Sequence, residues 1–468
     1  MDPKLVKELE DIVGEEYVST RPDVLLTYSH SASTGYDGRI PGAVVRPGST
    51  EEVAEILKVA NKYKIPVTPR SGGTSLQAEA IPEEGGLVVE LLRLKEITLF
   101  EDLRSVRVGA GVTFGQLDKF LNQHGLWVPV YPESSLACTV AGNVVVNGAG
   151  PGSTKYGSIA EMVMGLTVVL PTGEIIQTGS EGNPNAPGPF LRYSFGPDIT
   201  GLFIGSLGMF GIITSVSLKV YKRMKHFDYN TYGFQTHEQA QRFVIEMKNN
   251  EINVLFASFY EGQILQFFME MLGEEYGISK TDWPPYTVSV VIGHVREDIV
   301  RSDAALAREL CEKLGGYVIN VPELPRGEWE DRFRTFARAS YAHGWHWRIL
   351  YHHHTPSHWR RVIDVIWEGL DKFGLLGHTA GFATGHASFN FYPHIYFDPA
   401  DKEDEGKMRQ MHSWLAKRLF EVGAVPFKIA PYWFRDVPEM NEYLRLAKRI
   451  KKELDPNNIL NPRVLGGE

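Results

Sequence analysis

Apolar positions in the first part of the chain follow two spacings, which predict short strands between amphipathic helices. Residues 42–48 form a short apolar run ended by Pro47-Gly48, typical of a strand. Residues 51–63 then place apolar side chains at helical spacing, and Ser49 supplies a helix start. A second short strand, residues 65–70, runs into the loop 71–75. Strand, helix and strand in this order indicate an α/β arrangement.

The pattern changes after about Lys222, where longer amphipathic helices and aromatic strands appear. Residues 237–250 and 296–316 predict helices, and residues 253–260 and 286–295 predict strands. A last helix is stopped by Asp455-Pro456. We therefore predict an α+β protein with a first domain at 1–222, a second at 223–420, and a segment 421–468 that returns to the first domain.

Composition narrows the class of protein. A chain of 468 residues with 43% hydrophobic residues is globular, and its length suggests two domains. The formal charge of −9 predicts no general attraction to nucleic acid. No apolar run approaches the roughly 18 residues of a membrane span, and the charged first residues resemble no signal peptide, so we expect no transmembrane segment and a cytoplasmic location.

The cysteine count excludes one type of redox centre. Cys138 and Cys311 are the only cysteines, and no CxxC pair occurs. A cysteine-ligated iron–sulfur cluster within this chain is therefore excluded. Any such cluster that exchanges electrons with the protein must belong to another polypeptide.

Glycine is concentrated in one region. Twenty-three of the 46 glycines lie between Gly72 and Gly211. Glycine-rich loops let backbone N–H groups approach an anionic phosphate closely. The chain has neither the G-x-G-x-x-G turn after a first strand nor a P-loop. These loops therefore favour a large ligand wrapped by several segments.

Six motifs in this region and the tail resemble one flavoprotein family. They are VVRPGSTEEVAEILKVANKYKIPVTPRSGGTSLQ, PESS, TVAGNVVVNGAG, STKYG, DITGLFIGSLGMFGIIT and DPNNILNP. In this order they resemble the vanillyl-alcohol oxidase / p-cresol methylhydroxylase superfamily, and within it the glycolate oxidase D-subunit / D-lactate dehydrogenase branch. The resemblance implies a two-subdomain FAD-binding domain of the p-cresol methylhydroxylase type, covered by an α+β cap domain with an antiparallel sheet.

The resemblance also implies which residues bind FAD. The pyrophosphate would be held by the first loop, and the flavin and ribityl chain by the later segments; the set is Arg70, Ser71, Gly72, Gly73, Thr74, Ser75, Gln77, Pro132, Ser134, Thr139, Gly142, Asn143, Tyr156, Gly157, Gly211, Ile213 and Asn461. Some branches attach the flavin to a histidine of the first loop. This loop has none, so we expect non-covalent FAD.

The cap region departs from the hydroxy-acid branch at its metal site. Nine of the fifteen histidines lie between His343 and His394. His386 matches the first ligand of that branch, but the second aligns with Tyr392 or is displaced to His394. Lys428 falls where the metal-binding glutamate belongs, and a cation in that position argues against the site. We predict no metal, although an unusual histidine site stays open as an alternative.

Candidate catalytic residues follow from the same region. In residues 345–359, strand alternation would send His352 and His354 to one face and His353 to the other. Our candidates for base and substrate binding are His353, His386, Tyr392, Lys428 and Arg348. Lys428 could pair with a substrate carboxylate or phenolate, and Arg348 or Arg334 could clamp a carboxylate.

The expected activity is FAD-dependent transfer of hydride from an alcohol or 2-hydroxy acid to flavin N5. Electrons would pass to an external acceptor, such as an iron–sulfur or other electron-transfer protein, and a homodimer is possible. Two alternatives stay open. One is a phenolic or aryl alcohol oxidase, favoured by Phe427-Lys428. The other is a non-redox flavin enzyme of the ether-lipid synthase type, echoed in SFNFYPHIYF.

Overall fold

A computed structural model describes residues 1–30, 38–193, 196–261, 283–330, 346–428, 437 and 441–464. The candidate clamp Arg334 lies outside these residues. The helices are α1 Pro3–Val13, α2 Pro22–Tyr28, α3 Thr50–Tyr63, α4 Phe114–Asn122, α5 Val140–Val145, α6 Ser153–Tyr156, α7 Ile199–Phe203, α8 His237–Asn249, α9 Glu297–Lys313, α10 Glu323–Glu330, α11 Trp359–Phe373, α12 Lys402–Glu421 and α13 Asn441–Leu454.

The strands of the first half are β1 Val18–Ser19, β2 Ala43–Val45, β3 Val67–Arg70, β4 Leu87–Glu90, β5 Ile97–Phe100, β6 Ser105–Gly109, β7 Leu126–Trp127, β8 Val163–Val169, β9 Ile175–Gln177, β10 Ile212–Lys219 and β11 Tyr221–Lys222. The remaining strands are β12 His226–Phe234, β13 Val254–Glu261, β14 Tyr286–His294, β15 Tyr317–Ile319, β16 His346–Ile349, β17 His352–His354, β18 Gly377–Thr384, β19 Ser388–Phe397 and β20 Val425–Pro426.

Two sheets form the first half. One has the order β1-β2-β4-β3, with β2, β4 and β3 parallel. Parallel strands joined through a helix need both faces covered, and α3 buries Val53, Ile56 and Leu57 in the core that this sheet shares with the second one. The other sheet is antiparallel, in the order β5-β6-β10-β8-β9. One hydrophobic core joins the two sheets.

The second half is built on one antiparallel sheet of nine strands. Eight follow the order β15-β12-β14-β13-β18-β19-β17-β20, and β16 pairs with β19. One face carries the helices, because Phe243 of α8 and Trp359 of α11 pack in the same core as Phe259 of β13. The opposite face turns toward the first half, where Phe256 and Phe382 join its core. The space between this face and the loops of the first half contains the candidate site.

The end of the chain returns to the first sheet. Val67 of β3 donates its N–H to Ile459 O over 2.7 Å, and Asn461 N–H donates to Val67 O over 3.0 Å. The buried Lys451 ammonium pairs with Asp455 and donates to the carbonyl oxygens of Met209 (2.9 Å) and Leu460 (2.6 Å). These bonds hold residues 455–461 beside the strand that leads into the glycine-rich loop.

The predicted α+β class with an antiparallel cap sheet is confirmed. The boundaries 1–222, 223–420 and 421–468 stay predictions. In the described part of the chain, no helix has both the length and the apolar character to cross a membrane.

Candidate functional site

A cavity of about 500 Å³ lies between the loops of the first half and the inner face of the cap sheet. Its size is in the range of cofactor and substrate pockets. We call its two sides the loop wall, formed by residues from 69–80, 132–151 and 207–213, and the cap face, formed by residues of β13, β16, β18 and β19 with Tyr351, Phe427 and Lys428. The walls differ in the size of their side chains.

The loop wall is made largely of small residues and backbone. A Cβ at Gly72 would stand 2.4 Å from Ala137 O, so no side chain fits there. Gly73 has φ +60°, a conformation that favours glycine. Thr139 caps α5 by accepting from Gly142 N–H (3.1 Å), and its hydroxyl donates to Ser71 Oγ over 2.6 Å. Backbone groups and hydroxyls therefore reach the cavity directly.

Most of the residues that the resemblance assigns to FAD line this cavity. They are Arg70, Ser71, Gly72, Gly73, Thr74, Ser75, Pro132, Ser134, Thr139, Gly142, Asn143, Gly211 and Ile213. The structure thus brings together three segments that are far apart in sequence.

Four predicted FAD residues lie behind the cavity lining. Gln77 donates from Nε2 to Ile349 O (3.2 Å), and Asn461 donates from Nδ2 to Leu207 O (2.6 Å). The Tyr156 ring packs on the Tyr221 ring at 5.1 Å, and Gly157 ends α6 with φ +77°. These contacts connect the loop wall with neighbouring segments, and contact with FAD stays a prediction for all four.

The cap face follows the period of a strand. Alternate residues of β18 (His378, Ala380 and Phe382) and of β19 (Asn390, Tyr392 and His394) line the cavity, as do Trp347 and Ile349 of β16. The register pairs His378 with His394 and Phe382 with Asn390. Since paired residues lie on the same side of a sheet, these side chains form one continuous surface of mostly aromatic character.

A row of rings crosses the cap face. The Lys428 ammonium lies 4.4 Å from the centre of the Tyr351 ring. Tyr351 is 5.6 Å from Tyr392, Tyr392 is 5.5 Å from His394, and His394 stacks on His378 at 4.4 Å with 24° between the ring planes. A cation therefore stands at one end of the row and two imidazoles stand at the other.

Two carboxyl groups on the loop wall face Lys428. Burial raises the pKa of Glu79. The side chain of Glu133 is exposed in the cavity, but the protein around it also raises its pKa, and the Lys428 charge lowers the pKa of both carboxyl groups. Burial lowers the pKa of Lys428, against the attraction of Glu79, Cys138 and Glu133. Glu79 also accepts a hydrogen bond from the Ser75 hydroxyl. Lys428 has φ +52° and no ion-pair partner among the described residues.

Two of the five catalytic candidates line the cavity, namely Tyr392 and Lys428. The other three are not among the residues that line it, and a catalytic role for them stays a prediction. His386 is exposed in the turn between β18 and β19. His353 packs behind Phe427, with ring centres 4.5 Å apart. Arg348 is buried between Trp347 and Ile349, whose side chains take the cavity side of β16.

Several cavity residues were not among the sequence predictions. Four residues that line the site are Glu79, Glu133, Tyr351 and His378. No function was assigned to any of them from the sequence. Glu133 lies inside PESS, so an acidic residue within an otherwise uncharged segment was the available signal. In the described part of the chain, no group of three histidine, cysteine or acidic residues is arranged to hold a metal ion.

The loop wall fits FAD. Glycines whose Cβ would collide with backbone leave room for a phosphate to approach the chain. Asn143, a cavity residue, has its Nδ2 buried without a hydrogen-bond partner among the described residues, and such a group needs a ligand oxygen or nitrogen. Arg70 supplies a guanidinium, which suits a diphosphate. The residues present can hold the pyrophosphate and a polar edge of the cofactor.

Family comparisons agree with this cavity. Residues 41–179 match the FAD binding domain family, and residues 223–424 and 437–465 match the family described as FAD linked oxidases, C-terminal domain. The two matches cover residues 69–80 and 132–151 of the loop wall and strands β13, β16, β18 and β19 of the cap face, whereas residues 207–213, Phe427 and Lys428 lie outside them.

Individual proteins show the same relationship. The chain is 26% identical over 435 residues to the mitochondrial D-lactate dehydrogenase [cytochrome] of Arabidopsis thaliana, covering 90% of this chain and 73% of that protein. It is 27% identical over 480 residues to the glycolate oxidase subunit GlcD of Bacillus subtilis, covering 99% and 97%. In fold it is similar to 4-ethylphenol oxidase from Gulosibacter chungangensis, with a TM-score of 0.84, 19% identity, and 99% and 96% of the two chains covered.

Proposed function

Because the chain belongs to the FAD-linked oxidoreductases of the vanillyl-alcohol oxidase / p-cresol methylhydroxylase superfamily, we propose that it oxidises an aromatic alcohol or phenol whose anionic oxygen pairs with Lys428. One observation carries this proposal. The ammonium of Lys428 stands in a cavity lined by Tyr351, Tyr392 and other aromatic residues. An aromatic surface with one cation suits an aromatic anion.

The residues of the loop wall would hold the cofactor. Ser71, Thr74 and the backbone of Gly72 and Gly73 would bind the pyrophosphate, and Asn143 would bind a polar edge. FAD, when bound, supplies the hydride acceptor for the substrate carbon. The aromatic residues of the cap face exclude water from the substrate.

A base must remove the proton of the substrate hydroxyl while the carbon is oxidised. Glu133 and Tyr392 face the cavity and are our candidates for this step. The side chain of Glu133 is exposed in the cavity, where a substrate can reach it, and the protein around it raises the pKa of its carboxyl, which makes the carboxylate a stronger base. Lys428 would hold the substrate anion, and its positive charge would limit the increase in the pKa of Glu133. Electrons would then leave to an acceptor outside the chain, since its two buried cysteines cannot ligate an iron–sulfur cluster.

Oxidation of a small 2-hydroxy acid is the second candidate. It is favoured by the relatives, which include a D-lactate dehydrogenase and a glycolate oxidase subunit. In this case Lys428 would hold the carboxylate of the substrate. The aromatic surface of the cap face would then contact little of so small a molecule.

Anaerobic bleaching of the bound flavin separates the two candidates. The FAD-loaded protein is titrated with 4-hydroxybenzyl alcohol, benzyl alcohol, D-lactate and glycolate, and absorbance near 450 nm is followed. We expect bleaching by 4-hydroxybenzyl alcohol and slower or no bleaching by the uncharged benzyl alcohol. Bleaching by D-lactate or glycolate alone would replace the first candidate by the second, and bleaching by none would reject both.

Substitution of Lys428 tests the anion site. Lys428→Met removes the charge but keeps an unbranched chain, and should raise the KM of the anionic substrate by about 10- to 100-fold, equal to roughly 1.4–2.8 kcal/mol. Lys428→Arg is the matched control and should retain most of the affinity. Unchanged kinetics in Lys428→Met would remove this residue from the site.

A further inference from the structure

The cap face contains a pair of histidines with no role in the proposal so far. His378 of β18 and His394 of β19 are directly opposite each other in the sheet, line the cavity, and stack with ring centres 4.4 Å apart. Directly paired residues of neighbouring strands have side chains on the same side. The pair is therefore a fixed part of the cavity surface.

Neighbouring side chains fix the orientation of both rings. The Tyr396 hydroxyl and His378 Nδ1 are hydrogen-bonded at 3.1 Å. The Trp347 ring lies 4.9 Å from the His394 ring on another side of the pair. A ring that is held by packing and by a hydrogen bond presents its remaining nitrogen in one direction, which is a requirement for selective recognition.

The two nitrogens of His394 differ in their surroundings. Nδ1 is buried and has no hydrogen-bond partner among the described residues. Nε2 is not buried in this way, so it is the nitrogen that a molecule in the cavity can reach. A neutral imidazole donates at one nitrogen and accepts at the other, so this edge can bind a hydroxyl or a carbonyl oxygen.

The histidine pair differs in charge from the Lys428 end of the cap face. Burial keeps both histidines neutral: it lowers the pKa of His394 to about 3, and burial together with the neighbouring His394 imidazole lowers the pKa of His378 well below its ordinary value. A neutral imidazole pair offers no charge to an anion. Lys428 stands at the other end of the row, beyond Tyr351 and Tyr392, with successive separations of 4.4, 5.6 and 5.5 Å from Lys428 to His394.

We infer that His378 and His394 form a second substrate-binding subsite, which recognises an uncharged hydroxyl or carbonyl oxygen at the end of the substrate farthest from Lys428. This inference rests on the proposed function, and it specifies the substrate as an aromatic compound with an anionic group at one end and a neutral oxygen at the other. His394 makes the contact, and His378 and Tyr396 position its ring.

Two aromatic acids test the subsite without turnover. Cinnamate has only the carboxylate, and 4-hydroxycinnamate adds a neutral hydroxyl at the far end of the ring. Each is titrated into the FAD-loaded protein at pH 7.5, and the dissociation constant is measured from the perturbation of the flavin absorbance. We expect 4-hydroxycinnamate to bind about 10-fold more tightly, which corresponds to one hydrogen bond of about 1.4 kcal/mol.

Variants assign this preference to the histidine pair. His394→Phe keeps a ring for stacking but removes both nitrogens, and should abolish the preference while the affinity for cinnamate changes less than about twofold. Tyr396→Phe removes only the hydroxyl that holds His378, and should reduce the preference by about threefold. Lys428→Met should weaken both ligands equally. Thermal unfolding and the FAD content of each variant confirm that it is folded.

The outcomes separate this inference from the proposed function. If His394→Phe retains the preference, or weakens both acids by the same factor, the subsite is rejected while the anion site at Lys428 still stands. If His394→Phe does not fold, Tyr396→Phe decides, and a preference unchanged in that variant rejects the subsite. If Lys428→Met binds both acids as the native protein does, the anion site fails. An absence of binding by either acid to the native protein rejects the subsite.

Discussion

The two walls of the cavity are built in opposite ways. On the loop wall, recognition comes from the backbone and from small residues, because a side chain at Gly72 would meet Ala137 O at 2.4 Å. On the cap face it comes from large side chains, among them Tyr351, Tyr392 and His394. A wall made of backbone tolerates few substitutions and binds a ligand common to a whole family. Where recognition depends on side chains, substitutions can change which ligand the protein binds without changing the fold.

The largest effect that we predict is on the loop wall. Gly72→Val places side-chain atoms against backbone that cannot move aside, so we expect purified protein with less than about a tenth of the normal FAD content. FAD content is measured from the ratio of absorbance at 450 and 280 nm. A yellow Gly72→Val protein with full FAD content would show that the two walls do not differ in this way.

A second large effect concerns the segment that supports the loop wall. Lys451→Met removes the partner of Asp455 and leaves two buried carbonyl oxygens without a donor. Breaking a buried ion pair costs about 3–5 kcal/mol, and we expect a loss of this size in the free energy of unfolding, measured with urea. Lys452→Met, on the exposed side of α13, is the matched control and should be close to neutral.

The stability of the cap sheet should respond to pH, because strand β17 buries three neutral histidines behind the cap face. Burial lowers the pKa of His352 and His353 to about 4, and that of His354 to about 2. In the unfolded chain a histidine titrates near 6.5. Between these values the unfolded state binds more protons, so their contribution to stability is complete above about pH 6.5 and is lost as the pH falls.

We expect the free energy of unfolding to fall by about 2 kcal/mol per buried histidine between pH 7.5 and pH 5. Urea midpoints at the two pH values measure this loss. His352→Phe should make the decrease smaller by about that amount, whereas His386→Gln, in the exposed turn, should leave it unchanged. An equal decrease in the native protein and in His352→Phe would contradict the assignment.

The smallest effect that we predict is at a glycine where the surrounding space would accept a side chain. Gly406 lies in α12, and nothing stands within 4 Å of a Cβ built there. Because glycine costs about 0.5–1 kcal/mol relative to alanine inside a helix, Gly406→Ala should raise the free energy of unfolding by that amount and leave FAD content unchanged. Gly72→Ala, with the same chemical change on the loop wall, should lower FAD content instead.

The loop wall could be predicted from the sequence because positions with no room for a side chain require glycine, and the glycines are visible in the sequence. The resemblance to the flavoprotein family assigned these glycines and small hydroxyl residues to FAD, and most of the assigned positions line the cavity. Gln77 and Asn461 belong to the same segments but donate hydrogen bonds to backbone carbonyl oxygens behind the cavity lining, and their contact with FAD stays a prediction. Sequence order identifies the segment, and only packing determines which side of it faces the ligand.

The cap face could not be predicted in the same way. Its cavity residues become neighbours through the register of β18 with β19, which pairs His378 with His394 sixteen positions apart. A histidine count marks the region, but it cannot separate His394, in the cavity, from His386, in an exposed turn. Likewise, no short-range pattern indicates that Glu133 faces Lys428, because the two lie on opposite walls.

The bonds between Val67 and residues 459–461 have a consequence for how the protein is made. The strand that leads into the glycine-rich loop is synthesised nearly four hundred residues before its last partners. Such long-range pairing is slow to form, since a large loop must close first. The cofactor site can therefore be completed only after residues 459–461 are synthesised, which is later than the synthesis of every described strand of the cap sheet.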